Sequence, residues 1–173
     1  MLDLKEYIRE VPDWPKVGVN FKDITPLLQD GEAFRLVIDN LVDLYKDEKV
    51  DLVVGIDARG FILASAVAYK LGVGLAIVRK KGKLPCKTVS QEYALEYASN
   101  TIEMHEDSIR PGQKILMVDD VLATGGTMAA ACEIAKKLGA EIVGAAFLII
   151  LDFLKGGEKL NGINAKGLIH YMG

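Results

Sequence analysis

The sequence contains few of the residues that build disulfide frameworks or metal clusters. Its 173 residues include two cysteines, Cys86 and Cys132, which form no C-x-x-C motif, and two histidines, His105 and His170, which lie far apart. A low cysteine content favours a reducing compartment, and two scattered histidines lack metal-ligand spacing. We therefore expect neither a disulfide-stapled domain nor a histidine-based metal cluster.

Long apolar runs and an excess of positive charge are also absent. The longest apolar run, residues 142–151, is too short to span a bilayer, and the amphipathic N-terminus contains acidic residues, unlike a signal peptide. The formal net charge is −3 and the pI about 5.5, so the chain as a whole does not attract nucleic acid or an anionic membrane. The cytoplasm is the expected location, and any anion must be bound by local basic residues.

Apolar periodicity predicts strands and helices in alternation along one domain, residues 1–173. Strands are predicted at residues 52–56, 75–78, 115–118, 142–151 and 167–171. Helices are predicted at residues 2–10, 32–46, 61–71 and 128–138. This alternation indicates an α/β fold, in which helices flank both faces of a mostly parallel, twisted sheet.

Two segments are expected to add to this sheet. Residues 1–30, irregular after the short helix, would form a small hood over the carboxyl edge. Residues 80–105 would form a flexible loop and flap, with strands at residues 89–97 and 101–105 joined by residues 98–100. A mobile flap would let a site close and exclude water.

The most informative stretch is KILMVDDVLATGGT, residues 114–127. A buried strand ends in two carboxylates, Asp119 and Asp120, at the position where open α/β sheets bind ligands. A small-residue loop then leads into a helix and consists of Ala123, Thr124, Gly125, Gly126 and Thr127. Its backbone N–H groups and hydroxyls, together with the helix dipole, suit a phosphate. The alternative is a tight turn with a solvated acidic edge.

The two carboxylates would repel a phosphate, so their own partner should be neutral hydroxyls or a bound cation. A diol and a phosphate on one small ligand describe ribose 5-phosphate. The loop lacks the lysine of G-x-x-x-x-G-K-[ST], so it is not the loop that binds nucleotide triphosphates.

Basic residues follow two other predicted strands. Arg59, in GIDARGF, either binds a phosphate bidentately or pairs with Asp57. Five cations occur within nine residues at Arg79, Lys80, Lys81, Lys83 and Lys87. Such a run is usually a solvated face, but beside a buried strand and a second phosphate loop it favours binding of a polyanion such as pyrophosphate.

The string at residues 114–127 resembles the phosphoribosyl pyrophosphate (PRPP) signature of type I phosphoribosyltransferases. The segments PDWPKVGVNFKDITPLL, GIDARGF, RKKGKLP and LEY resemble adenine phosphoribosyltransferases, and on these motifs the chain is identified as a member of that family. The resemblance implies a type I phosphoribosyltransferase-like fold and transfer of the phosphoribosyl group from PRPP to adenine, giving AMP and pyrophosphate. It also implies a homodimer and Mg²⁺ held mainly by the substrate, without a set of protein ligands.

The same resemblance implies roles for individual residues. Asp119 and Asp120 would hold the ribose hydroxyls, and residues 123–127 would bind the 5-phosphate. The pyrophosphate contacts would be Arg59, Arg79, Lys80 and Lys83. The adenine pocket would be lined by Asn20, Phe21, Lys22 and Leu151. Glu96 would handle the adenine proton, a role worth roughly 10²–10⁴ in rate. For Phe21 and Leu151, ordinary core packing is the alternative.

Two other functions fit parts of the pattern. One is a non-enzymatic regulator that senses PRPP and binds DNA, which needs a DNA-binding module and a basic surface, whereas this chain is acidic. The other is the same reaction with hypoxanthine, guanine or xanthine. The residues alone do not separate these bases from adenine; only the resemblance does.

Overall fold

The computed structural model describes residues 1–95 and 97–173. Its strands are β1 (Arg9–Pro12), β2 (Asn20–Asp23), β3 (Leu52–Ile56), β4 (Gly74–Lys80), β5 (Thr88–Ala94), β6 (Ser99–His105), β7 (Lys114–Leu122), β8 (Glu141–Leu151) and β9 (Ala165–Tyr171). Its α-helices are α1 (Thr25–Gln29), α2 (Gly31–Asp43), α3 (Arg59–Leu71) and α4 (Gly126–Lys137). None of the helices in these described ranges is long and apolar enough to cross a membrane.

Seven strands form the main sheet, in the order β5-β6-β4-β3-β7-β8-β9. In the part of the sheet ordered β4-β3-β7-β8-β9, each strand is parallel to its neighbours. Strand β6 is antiparallel to both β4 and β5. The mostly parallel α/β sheet expected from the sequence is confirmed. The hairpin of β5 and β6 extends one edge of it.

The central strands are apolar because both of their faces are covered. In β3 every residue is buried, and alternate residues point to opposite sides of the sheet. Val54 of β3 and Met117 of β7 belong to one hydrophobic core, while Val53 and Leu116 belong to the other. Helix α4 packs in the first core, and α2 and α3 pack in the second. The prediction of helices on both faces is therefore confirmed.

Helix α2 begins directly after its capping residue, Asp30. The Asp30 carboxylate accepts hydrogen bonds from the N–H groups of Glu32 and Ala33, at 3.0 and 2.9 Å, which satisfies two free donors of the first turn. The helix ends at Asp43, three residues earlier than periodicity predicted. Tyr45 instead turns inward, and its hydroxyl donates a hydrogen bond toward the carbonyls of Ala145 and Asn164.

The predicted helix at residues 2–10 is wrong. The chain forms one 3-10 turn, Leu4–Tyr7, and then β1, which pairs antiparallel with β2 from Arg9↔Asp23 to Pro12↔Asn20. An isolated helix of nine residues is marginal because nucleation is costly, whereas strand pairing satisfies the same backbone groups against a neighbour. We use the name hood for the segment that contains this two-stranded sheet.

A hairpin forms where the sequence predicted two strands, but β5 ends at Ala94, earlier than the predicted residue 97, and the connection differs. Ser99 and Asn100, expected in the connection, pair within β6 against Ala94 and Tyr93. The N–H of Leu95 donates to the Ala98 carbonyl at 2.6 Å, so the turn closes earlier. The strands are also not isolated, because β6 pairs with β4 through Arg79↔Glu103 and Lys80↔Ile102.

Candidate active site

A cavity of about 580 Å³ lies between the hood and the carboxyl ends of β3 and β7. Ten of the residues that the sequence singled out line it: Asn20, Phe21, Lys22, Arg59, Lys80, Asp119, Asp120, Ala123, Thr127 and Leu151. Its described lining does not include Arg79 or Lys83. The carboxyl edge of a parallel sheet is the expected position for such a site.

The carboxylate pair lies on the floor of this cavity, at the end of β7. Asp120 is buried, and its Oδ2 accepts a hydrogen bond from Arg59 Nε at 2.5 Å. The backbone N–H of Asp120 donates to Asp119 Oδ1 at 2.8 Å. A Cβ added to Gly60 would lie 2.6 Å from Asp119 Oδ1. Glycine at the start of α3 thus allows the helix to approach the carboxylate closely.

The two carboxylates differ in their electrostatic surroundings. Desolvation, followed by the neighbouring charge of Asp120, raises the pKa of Asp119 well above its ordinary value. Asp120 forms an ion pair with the arginine, whereas Asp119 accepts its hydrogen bond from a backbone N–H group. A desolvated carboxylate beside a cavity is a strong acceptor for hydroxyl donors.

The arginine that pairs with Asp57 is not the one that the sequence suggested. Arg59 pairs with Asp120 across the sheet, while Asp57 accepts from Arg79 Nε at 3.3 Å. The Arg59 guanidinium also lies 5.1 Å from the centre of the Phe21 ring, in cation–π contact with the hood. Arg79 therefore holds the turn after β3, and Arg59 faces the cavity.

The small-residue loop surrounds a second, smaller cavity of about 90 Å³ that also reaches Asp119 and Thr127. In the described structure, Gly125 precedes α4 with no side-chain cap, so the first N–H groups of the helix remain available to a ligand. Gly125 has φ +85°, and a Cβ on it would lie 2.2 Å from the Gly156 carbonyl oxygen. The loop thus packs directly on a second backbone segment.

The hood lines the cavity mainly with an aromatic ring and with backbone groups, because its polar side chains are already bound to one another. The side chains of Asn20 and Lys22 both bind Glu10, at 2.8 Å each. Phe21 makes an edge contact with Trp14, with ring centres 4.5 Å apart. Leu151 lines the same cavity from the end of β8. These side chains leave an apolar slot in which a flat ring can be covered.

Several residues at this site were not identified from the sequence: Gly60, Tyr93 and Gly156. The hydroxyls of Tyr93 and Thr127 lie 3.1 Å apart, so β5 reaches the phosphate loop. A Cβ on Gly126 would lie 3.3 Å from the Tyr93 ring. No local pattern signals these contacts, because each joins elements far apart in the chain. Glu96 lies outside the described residues.

Comparisons with known proteins agree with this geometry. A family model described as a phosphoribosyl transferase domain matches residues 23–164. The adenine phosphoribosyltransferase of Desulfitobacterium hafniense (strain Y51) is 52% identical over 170 residues, covering 98% of each chain. The crystal structure of the Thermoanaerobacter pseudethanolicus enzyme of that name has a TM-score of 0.95 at 45% identity, covering 97% of this chain and 98% of its own. The Saccharomyces cerevisiae enzyme, solved with adenine, has a TM-score of 0.90 at 36% identity, covering 95% of both chains.

The chain therefore belongs to the type I phosphoribosyltransferase family, whose model covers most of its length. Within that family it belongs with the adenine phosphoribosyltransferases, because these relatives match it from end to end.

Proposed function

We propose that this protein transfers the 5-phosphoribosyl group of PRPP to adenine, giving AMP and pyrophosphate in purine salvage. One observation carries the proposal. The same cavity brings together a carboxylate pair, the uncapped start of α4 and an arginine at the start of α3. Such an arrangement can bind the hydroxyls, the terminal phosphate and the diphosphate of one sugar at once.

The sugar phosphate occupies the two cavities, whose linings share Asp119, Ala123 and Thr127. Asp119 and Asp120 accept hydrogen bonds from the ribose hydroxyls. Residues 123–127 bind the 5-phosphate through backbone N–H groups, the two threonine hydroxyls and the positive end of the α4 dipole. Holding the sugar at both ends fixes C1 relative to the base, which is the main advantage of orientation.

Pyrophosphate leaves toward the basic residues. Arg59 and Lys80 line the cavity, Lys83 lies in the exposed loop that follows β4, and Arg79 steadies the turn beside them. As the bond to pyrophosphate breaks, positive charge develops on the ribose and negative charge on the leaving group. Fixed cations aimed at the leaving group stabilise this separation without reorganising during the step.

A divalent cation suits this site only as a companion of the substrate. Within residues 1–95 and 97–173, no group of three or more histidine, cysteine or acidic residues could hold a metal ion. Asp57 and Asp120 are already paired with arginines, so among the described residues that line the cavity Asp119 is the carboxylate that could contact such an ion. When bound, Mg²⁺ would offset phosphate charge, and it accepts phosphate oxygens and water readily.

Adenine occupies the slot between the hood and the end of β8. Phe21 and Leu151 cover its faces, and Asn20 and Lys22 shape the rim while their side chains remain bound to Glu10. Backbone groups of the hood are then free to read the edge of the base. The Saccharomyces cerevisiae relative, solved with adenine, supports this choice of base.

The assay that tests the proposal mixes the protein, Mg²⁺ and PRPP with adenine, hypoxanthine, guanine or xanthine in turn. We expect AMP and pyrophosphate from adenine alone. Product from another purine instead would identify the same reaction with a different base. PRPP binding by calorimetry without product from any base would favour a non-enzymatic PRPP sensor.

Glu96 supplies the proton-handling step at N7 or N9 of adenine in this proposal. We expect Glu96→Gln to lower kcat about 100-fold, at the low end of general acid–base catalysis, because the amide cannot exchange the proton. The Kd for PRPP should change less than 3-fold (about 0.7 kcal/mol) because the proton in question belongs to the base and not to the sugar phosphate. Steady-state kinetics with calorimetry measures both, and an unchanged kcat would remove Glu96 from the mechanism.

The single domain further acts as a cytoplasmic homodimer in this proposal. Helix α3 presents Ile62 and Tyr69 to solvent, and Tyr69 is 90% exposed. Large apolar side chains on one helix face are typical of an interface. Light scattering should give twice the chain mass of 18.8 kDa at assay concentration, and a monomer mass would contradict the assignment. Cell fractionation should place the protein with cytoplasmic markers.

A further inference from the structure

Glu103 is a buried charged residue to which the proposed reaction gives no role. It is 8% exposed on β6, whereas the other buried charged side chains of the described chain, Lys22 and Asp120, line the cavity. A buried carboxylate is costly unless its oxygens are bound. Both are bound here: Oε1 accepts from the Gly82 N–H at 2.6 Å and Oε2 from the Thr88 hydroxyl at 2.7 Å.

These two partners stand near opposite ends of one loop. Residues 81–87 connect β4 to β5 and carry Lys81, Lys83 and Lys87, all exposed. Gly82 follows Lys80 by two residues and has φ +87°, while Thr88 is the first residue of β5. A single carboxylate therefore holds both ends of the basic loop.

The carboxylate is ionised at neutral pH. The Gly82 N–H, and after it the Thr88 hydroxyl, lower the pKa of Glu103 against the opposing effect of its burial. Lys81 adds to this lowering through its charge. Glu103 thus binds the loop through charge-assisted hydrogen bonds, the stronger class of such bonds.

We propose that Glu103 is a positioning residue for pyrophosphate, which holds the basic loop in its binding conformation before the ligand arrives. The inference rests on the proposed function, because it concerns the diphosphate of PRPP and the released pyrophosphate. Three lysines repel one another in a loop that contains glycine, so ordering them on binding would cost affinity. Because Glu103 orders the loop when the protein folds, this entropy is not lost again when the ligand binds.

The direction in which pyrophosphate affinity changes distinguishes a positioning role of Glu103 from a purely electrostatic one. Glu103→Ala removes a negative charge next to the lysines, so electrostatics alone predicts tighter binding of pyrophosphate. Loss of positioning predicts the opposite. We expect the Kd for magnesium pyrophosphate and the KM for PRPP to rise about 10-fold, and the Kd for AMP to stay within 2-fold because AMP has no diphosphate to meet the loop.

Two further variants test the geometry. In Glu103→Gln the amide can still accept from the Gly82 N–H and donate to the Thr88 hydroxyl oxygen, so it should restore most of the pyrophosphate affinity. Thr88→Val leaves the carboxylate with Gly82 alone, and it should weaken pyrophosphate binding about 3-fold, about half of the free energy lost in Glu103→Ala. It also tests the inference if Glu103→Ala does not fold. Glu92→Ala is the control, because Glu92 is an exposed glutamate on the neighbouring strand β5.

Calorimetry with magnesium pyrophosphate and with AMP decides the matter without requiring turnover. Pyrophosphate affinity equal to or tighter than that of the wild type in Glu103→Ala would overturn the inference. An equal loss of AMP affinity, or an equal loss in Glu92→Ala, would overturn it as well. A wild-type protein that binds pyrophosphate but forms no AMP would refute the proposed reaction and leave the positioning test intact.

Discussion

Gly125→Ala should lower kcat/KM for PRPP at least about 100-fold, because the phosphate loop has no room for a methyl group. The new Cβ would lie 2.2 Å from the Gly156 carbonyl oxygen, so the backbone must move by more than an ångström. A misplacement of that size costs about 100-fold in rate. The left-handed conformation, φ +85°, costs about 1–2 kcal/mol for any residue with a Cβ, which lowers the stability of the variant in addition.

Gly112→Ala is a matched control for the backbone conformation. Gly112 also has φ +85°, but a Cβ on it would meet nothing within 4 Å. This variant should lose stability to a similar degree through strain, yet keep the wild-type kcat/KM. Steady-state kinetics at saturating adenine, with melting temperatures for both variants, separates strain from the clash. Equal kinetic losses in the two variants would show that the contact with Gly156 does not shape the loop.

The arrangement around Gly125 also shows what the sequence could and could not predict. The loop at residues 123–127 was predicted as a phosphate cradle because its ingredients are contiguous: a buried strand, two acids, small residues and a helix start. Its packing against Gly156 joins positions 31 residues apart, which no local pattern records. A motif that is contiguous in the sequence can therefore be predicted, whereas a distant segment that packs against it cannot.

The charged residues show the same difference between what local sequence predicts and what the fold decides. Arg59 was predicted to face a phosphate or to pair with Asp57, its close neighbour in sequence. The pair actually formed is Arg59 with Asp120, because β3 lies next to β7 and brings the start of α3 over the end of that strand. Sheet order decides such pairs, and the sequence predicts the strands without predicting their order.

The N-terminal error has a related cause. Leu4, Ile8 and Val11 have helical spacing, but in the fold Ile8 is buried in the core shared with α2 and α3. Its neighbours then pair with β2, which local periodicity does not include. The strongly periodic helices and the continuous apolar strands, whose signals exceed any local alternative, were predicted to within a few residues.

Asp119→Asn should weaken PRPP binding about 1,000-fold while making the protein without ligand more stable at pH 7.5. The carboxylate accepts bonds from the ribose diol, and two charge-assisted bonds at roughly 1.5–3 kcal/mol each account for roughly 10²–10⁴ in affinity. In the free protein the same charge is desolvated beside Asp120, which raises the pKa of Asp119. An amide keeps the acceptor for the Asp120 N–H and removes the unfavourable charge.

The pH dependence follows from the direction of that shift. Between the ordinary aspartate pKa, about 3.9, and the raised pKa of Asp119, the folded state binds more protons than the unfolded state, so this group lowers stability as pH rises. Above the raised pKa the whole penalty is present, and below about pH 4 it is absent. The gain in melting temperature from Asp119→Asn should therefore be about 2–4 °C at pH 7.5 and should vanish near pH 4.

Asp120→Asn is the control, because its carboxylate is paired. Arg59 Nε donates to Asp120 at 2.5 Å, so the amide weakens an ion pair that is half buried, and the melting temperature should fall. Calorimetric melting across pH, with titration of PRPP, measures both effects. A lower melting temperature for Asp119→Asn at pH 7.5, or unchanged PRPP affinity, would contradict the assignment. Opposite shifts in two adjacent carboxylates would mean that Asp119 is retained at a cost to stability because the sugar needs it, whereas Asp120 serves the fold and the site together.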